Sequence, residues 1–258
     1  MSQRKSNMRH LISLLPKNSG RDAMGHISVR HQGGRNKRFL REIDFKRDKR
    51  DVWARVENLE VDPNRNSQIA MLIYEDGERR YILAPLGLKE GNRILASDSA
   101  PLSAGNALPL EKIPAGTQIH NIEIQPGKGG QIVKSAGGAA VIQGKEEGWI
   151  LVKLPSGELR RFRPDVWATI GQVGNIEFRA KRLGKAGAKR KMGIRPTVRG
   201  VAMHPNAHPH GGGEGRSGIG MKYPKTPYGK PAVGKTRRHR KYSDSLIVNP
   251  RKKGPHVG

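Results

Sequence analysis

Short apolar runs broken by glycine- or proline-bearing turns dominate residues 41–180, and they predict β-strands. Gln68–Tyr74 is apolar at Ile69, Met71 and Ile73 and also at Ala70, Leu72 and Tyr74, the pattern of a strand covered on both faces. Glu75-Asp76-Gly77-Glu78 follows, then Arg79–Ala84, in which Tyr81 and Leu83 share a face. Asp-Gly between two such runs predicts a tight hairpin, because glycine accepts the positive φ of the reversal. Upstream, Val52–Val61 is apolar at Ala54 and Val56, then at Leu59 and Val61. The phase slips by one residue near Asn58, which predicts a β-bulge.

A connection rich in Pro, Gly, Ser and Asn, Ala100–Pro109, separates this group from a second one. Strands are expected at Ile119–Ile124, at Trp149–Leu154 and Glu158–Arg163 around Pro155-Ser156-Gly157, and at Gln172–Phe178 as the closing strand. Helical periodicity is almost absent. The fold class expected is mainly β: an OB-fold barrel over 41–105, then an SH3-like barrel over 106–180, although other small antiparallel folds share these patterns. Beyond Lys181 the pattern dissolves into basic residues alternating with Gly and Pro. Ala186–Met192 suits a turn or two of helix before Gly193 and Pro196 stop it. The remainder of that tail is too poor in apolar groups to offset its ordering entropy, so it is expected to order only on a partner.

Charge follows the same division. Residues 1–40 hold nine Lys/Arg and one acid, residues 41–180 twenty and nineteen, and residues 181–258 twenty and two. A near-neutral folded centre between two cationic arms seeks a polyanion; a soluble domain with idle disordered tails is the plainer reading of the same composition. The formal net charge is +27. No window approaches the ~18 apolar residues of a spanning helix, and the chain has no cysteine, so disulfides and thiolate metal sites are out. Residues 1–20 lack the apolar stretch of a secretory signal. Their basic, acid-free composition fits an organellar transit peptide or an RNA-binding arm, and its continuation through Arg38 favours the arm.

The most unusual run is Met203-His204-Pro205-Asn206-Ala207-His208-Pro209-His210-Gly211-Gly212-Gly213-Glu214-Gly215-Arg216. Three histidines within seven residues invite a metal reading. Against it, the prolines forbid a helix aligning His204 with His208, and no cysteine or acidic cluster completes a shell. The alternative is that backbone carries the work: glycines permit close approach to another surface, and exposed N–H groups cradle phosphate. Imidazoles can stack on bases or bond phosphate and ribose. A free OB-fold nucleic-acid-binding factor is a further reading of the same features. Arg79, Arg80, Arg161 and Arg163 are candidate surface contacts on the barrels, while core packing is expected for Trp53, Trp149 and Trp167.

Arg195-Pro196-Thr197-Val198-Arg199-Gly200-Val201-Ala202-Met203, with His208–Gly215 after it, resembles the universal large-subunit ribosomal protein family called L-two, of bacterial or organellar type. Asp62-Pro63-Asn64-Arg65, Asp76–Pro85, Asn121-Ile122-Glu123, Pro126–Gln131, Gly184-Lys185-Ala186-Gly187 and Lys235-Thr236-Arg237 extend the resemblance in consistent order over roughly residues 25–253. It implies an OB-fold, an SH3-like barrel and a tail reaching toward the catalytic centre of the subunit. It also implies a non-enzymatic role in holding large-subunit rRNA, in subunit association and in supporting the peptidyl transferase region. The expected partners are rRNA, neighbouring ribosomal proteins and the small subunit, with one copy per ribosome, no membrane and no cofactor. The compartment is a cytoplasmic ribosome, with an organellar one also compatible. The rRNA-contact candidates are Lys185, Lys189, Arg190, Arg195 and Arg199, then His208, His210, Gly211, Gly212, Gly213 and Arg216, and finally Lys235, Arg237 and Arg238. No catalytic or metal-ligating residue is assigned. The family's histidine linked to peptidyl transfer corresponds to His208. The chain departs from the family at Ala207, where aspartate is usual, at His204, where asparagine is usual, and at Lys191, often tryptophan; its N-terminal arm is also shorter than usual.

Overall fold

The computed structural model describes residues 9–146, 148–233 and 242–252. In chain order the strands are β1 (Ile12–Leu15), β2 (Arg38–Arg41), β3 (Ala54–Val61), β4 (Gln68–Tyr74), β5 (Arg79–Leu83), β6 (Arg93–Ile94), β7 (Ala107–Pro109), β8 (Gln118–His120), β9 (Ala140–Glu146), β10 (Trp149–Lys153), β11 (Leu159–Phe162), β12 (Trp167–Ile170) and β13 (Ile247–Asn249). Among the described residues they form three sheets: a β1-β2 ribbon, a four-stranded sheet in the order β5-β4-β3-β6, and a seven-stranded sheet in the order β13-β11-β10-β9-β8-β12-β7. Helix is nearly absent; α1 (Ala186–Lys191) is one short segment. The protein is mainly β, an OB-like barrel followed by an SH3-like one.

Local chemistry explains the first barrel. Gly77 takes φ +84° and closes the β4–β5 hairpin, with its N–H donating to the Tyr74 carbonyl at 2.9 Å. The bulge is at Glu57: Val56 faces Leu72 and Asn58 faces Met71, so Glu57 is the extra residue. Its carboxylate turns to accept from Arg79 Nε at 2.9 Å. Ala54, Val56, Ala70, Leu72, Tyr74, Ile82 and Ile94 fill one core. A second core gathers Leu110, Ile113, Ile119, Ile122, Ile142, Val152, Phe162 and Val166. Trp167 is buried and Trp53 packs partly buried against the second core.

The second barrel does not close where the sequence predicts. Its strand is Trp167–Ile170; Gly171, at φ +101°, ends it, and Asn175, at φ +61°, opens a 3-10 turn over Ile176–Ala180. The two barrels form one compact unit with Ser245–Arg251, whose β13 pairs with β11. The seam between them is polar. Gly130 N–H donates to the Phe45 carbonyl at 2.7 Å, and Ala136 N–H to Asn66 Oδ1 at 3.1 Å.

The second unit contains Lys17–Asn36 and Leu183–Asp244. Within it the N-terminal arm lies along the tail: Gly33 N–H donates to Gly193, Asn36 N–H to Lys191, and Arg195 N–H to His31, each at 2.9 Å. Gly193, at φ +96°, ends α1 beside this contact. No apolar side chain is buried among the described residues of this unit; the one buried side chain is His208.

Candidate nucleic-acid interface

The glycine–histidine run folds around an imidazole instead of an apolar core. After Arg199, a 3-10 turn at Gly200–Ala202 brings Gly200 flat against the His208 ring. A Cβ on Gly200 would stand 2.5 Å from His208 Nδ1, so only glycine fits. His208, 8 % exposed, accepts the His210 N–H on Nδ1 at 3.0 Å, and its carbonyl accepts the Gly211 N–H at 2.8 Å. Nδ1 is therefore the unprotonated nitrogen, and the neutral ring carries its proton on Nε2. His210 Nε2 accepts the Lys225 N–H at 2.8 Å, and the two rings sit 4.7 Å apart at 56°. His204 Nδ1 accepts the Asn206 N–H at 3.3 Å. All three histidines thus brace the loop. Among the described residues no group of three His, Cys, Asp or Glu could hold a metal ion.

The glycines serve packing first. Gly211 has no room for a Cβ against His204, and Gly212 and Gly213 take φ +88° and +93°. The N–H groups of Gly211 and Gly212 are spent on the His208 and Met203 carbonyls, so those two donors do not face a phosphate. The loop's external chemistry rests on its rim, where Arg199 and Arg216 are exposed.

Lys185 stands immediately before α1, and Lys189 and Arg190 occupy its last turn, where cations suit the exposed carbonyls. All three are exposed, as is Arg195, whose side chain passes under Gly33. None of Lys185, Lys189, Arg190, Arg195, Arg199 and Arg216 has an ion-pair partner among the described residues. Lys235, Arg237 and Arg238 lie outside the described residues.

Some of the barrel cations, by contrast, are paired with carboxylates. Arg79 pairs with Glu57; Arg80 pairs with Asp44, Asp48 and Glu78; Lys49 pairs with Asp76 and Glu78; Arg163 pairs with Asp165. Of the arginines expected as barrel contacts, these carboxylates occupy Arg79, Arg80 and Arg163 and leave Arg161 exposed. A site that sequence reasoning missed stands at the barrel seam. Lys134 Nζ lies 4.2 Å and the Arg65 guanidinium 5.6 Å from the centre of the Phe45 ring. Arg65 is oriented by buried Asp62, Nε to Oδ2 at 2.7 Å. Lys134 has no carboxylate partner among the described residues, and burial, then the neighbouring Arg65 charge, lowers its pKa. Two cations held over one ring, with one negative charge between them, attract an anion.

Small β-barrels of near-neutral charge, tail cations without a carboxylate partner among the described residues and a backbone-built loop define a structural polyanion-binding protein. The family model described as Ribosomal Proteins L2, RNA binding N-terminal domain, matches residues 8–96, and that described as Ribosomal Proteins L2, C-terminal domain, matches residues 103–229. The chain belongs to the ribosomal protein L2 family, and is a structural, rRNA-binding component of the large ribosomal subunit.

Proposed function

We propose that the chain holds large-subunit rRNA helices together, supports the peptidyl transferase region through the His208 loop, and contributes to association with the small subunit. In this reading residues 1–40 and 181–258 are the rRNA-binding arms, and 41–105 and 106–180 are the barrels that dock them. The contacts come from Lys185, Lys189, Arg190, Arg195, Arg199 and Arg216 with His208 and His210, and, outside the described residues, from Lys235, Arg237 and Arg238. The observation that carries the reading is the second unit itself. Among its described residues Lys185, Lys189, Arg190, Arg195, Arg199 and Arg216 are exposed with no carboxylate partner, and an imidazole takes the place of a core. Such a unit gains from a polyanion what it lacks in apolar burial.

The hydrogen bonds of His208 support a structural role. General-base catalysis needs a free ring lone pair within reach of the proton removed. Here the lone pair of Nδ1 is engaged by the His210 N–H, and Nε2 carries a hydrogen that can only be donated. His208 is a hydrogen-bond donor on a braced loop, suited to a phosphate, ribose or base acceptor, and the chemistry belongs to RNA.

Sedimentation tests this. The chain should co-migrate with the large subunit through a high-salt wash, and His208→Ala should lower its retention roughly tenfold, a loss of about 1.4 kcal/mol. A predominantly free pool would favour an unattached nucleic-acid-binding factor. Normally assembled subunits that carry His208→Ala yet fail at peptide transfer would favour a chemical role.

A further inference from the structure

One row of directly opposed residues crosses the whole four-stranded sheet: Arg79 on β5, Ile73 on β4, Arg55 on β3 and Arg93 on β6. Their strand neighbours Ala54, Leu72 and Ile94 point into the barrel core, so this row lies on the outer face. Arg79 is neutralised by Glu57. Arg55 and Arg93 are exposed, face each other across adjacent strands, and have no ion-pair or side-chain hydrogen-bond partner among the described residues. Like charges directly opposed in a sheet repel and weaken it. This pair stands in a barrel whose other arginines are largely paired, which singles it out.

The two arginines edge an open cleft of about 290 Å³ lined also by Trp53, Ile73, Tyr74 and Glu75. Trp53 is half-buried, and its carbonyl accepts the Glu75 N–H at 3.1 Å, which fixes its backbone at the end of the central β3–β4 pair. Glu75 is the cleft's only acid and pairs with neither arginine. Two guanidinium forks beside an indole and an isoleucine match a group that is anionic at one end and flat and apolar at the other.

We propose that this cleft binds one nucleotide of rRNA, with Arg55 and Arg93 holding the phosphate and Trp53 and Ile73 supporting the attached sugar or base. The inference rests on the rRNA-scaffold reading above and adds to it a contact on the barrel face, apart from the arms. RNA is favoured over an acidic protein segment because the indole gives a nucleotide a stacking surface that a carboxylate side chain does not use.

The test compares the full chain with the double variant Arg55→Gln, Arg93→Gln, titrated against purified large-subunit rRNA over a salt series. Each phosphate contact contributes ~0.7–0.9 to the slope of log affinity against log salt, so the double variant, which gives up one phosphate, should lose about 0.7–0.9 from that slope. Its affinity should fall about tenfold, while its melting temperature should hold or rise because the repulsion is gone. A charge-matched variant, Lys112→Gln with Lys153→Gln, should keep the parent slope. In salt-washed subunits, photo-cross-linking should leave a nucleotide on the peptide containing Trp53. An unchanged slope in the arginine variant, an equal loss in the lysine variant, or a Trp53 peptide joined to another protein would each overturn the cleft. Failure of the parent chain to bind rRNA would overturn the scaffold reading instead.

Discussion

His120 shows what a single buried side chain contributes. It is fully buried in β8, its Nδ1 donates to the Gly171 carbonyl at 2.8 Å, and its Nε2 has no partner. Burial first, then the neighbouring Arg47 charge, opposes protonation, while the Gly171 bond works the other way; the net pKa is about 4. Because this pKa is depressed, the unfolded chain binds more protons between about pH 6.5 and 4. The stability from neutral His120 is therefore complete above that window and lost as pH falls through it, by about 3 kcal/mol in all. Urea unfolding at a series of pH values should show that loss, and His120→Gln should flatten it. Gly200 makes the matching case in the second unit. A methyl there collides with the His208 ring, so Gly200→Ala should reduce retention on salt-washed subunits as much as His208→Ala does, although it removes no polar group.

At the level of elements, Glu123 ties one loop to one strand. Its buried carboxylate accepts the N–H groups of Gly127 (3.3 Å), Gly129 (2.8 Å) and Trp167 (3.1 Å), binding the turn after β8 to the start of β12. Glu123→Ala strands the two buried donors of Gly129 and Trp167 and should cost roughly 3–5 kcal/mol, seen as a fall in melting temperature on the order of 10 °C. Glu123→Gln, which keeps one acceptor oxygen, should cost less. Elements were legible in the sequence where their determinants are local. The β4–β5 hairpin follows from Asp76-Gly77, and the β3 bulge from the slip at Asn58. The closing strand was not, because Trp167–Ile170 and Gln172–Phe178 are both short apolar runs and only Gly171 and Asn175 decide between them. Nor was β13, whose pairing with β11 is a long-range event within a segment that reads as tail.

Across the whole molecule, cations divide into those paired with carboxylates and those without such a partner among the described residues. Arg65 and Lys134 fall on opposite sides of that division while sharing the Phe45 ring. Lys134→Gln should weaken rRNA binding and lower the salt slope by about 1 with little change in melting temperature. Arg65→Gln should do both, because it also abandons buried Asp62. The glycine–histidine loop was legible because its residue types are rare together. The Arg65–Lys134 site was hidden, since it exists only once two barrels bring their loops to one seam.

The arm-to-tail contact sets an order of events at birth. His31 and Pro196 meet across 165 positions of chain. At a synthesis rate of ~5–20 residues per second, the first of them waits roughly ten to thirty seconds for its counterpart to be made. A nascent chain thus carries a cationic leading segment while every barrel strand but β13 has already been made, and that segment lies against the tail only once the last third of the chain has followed it.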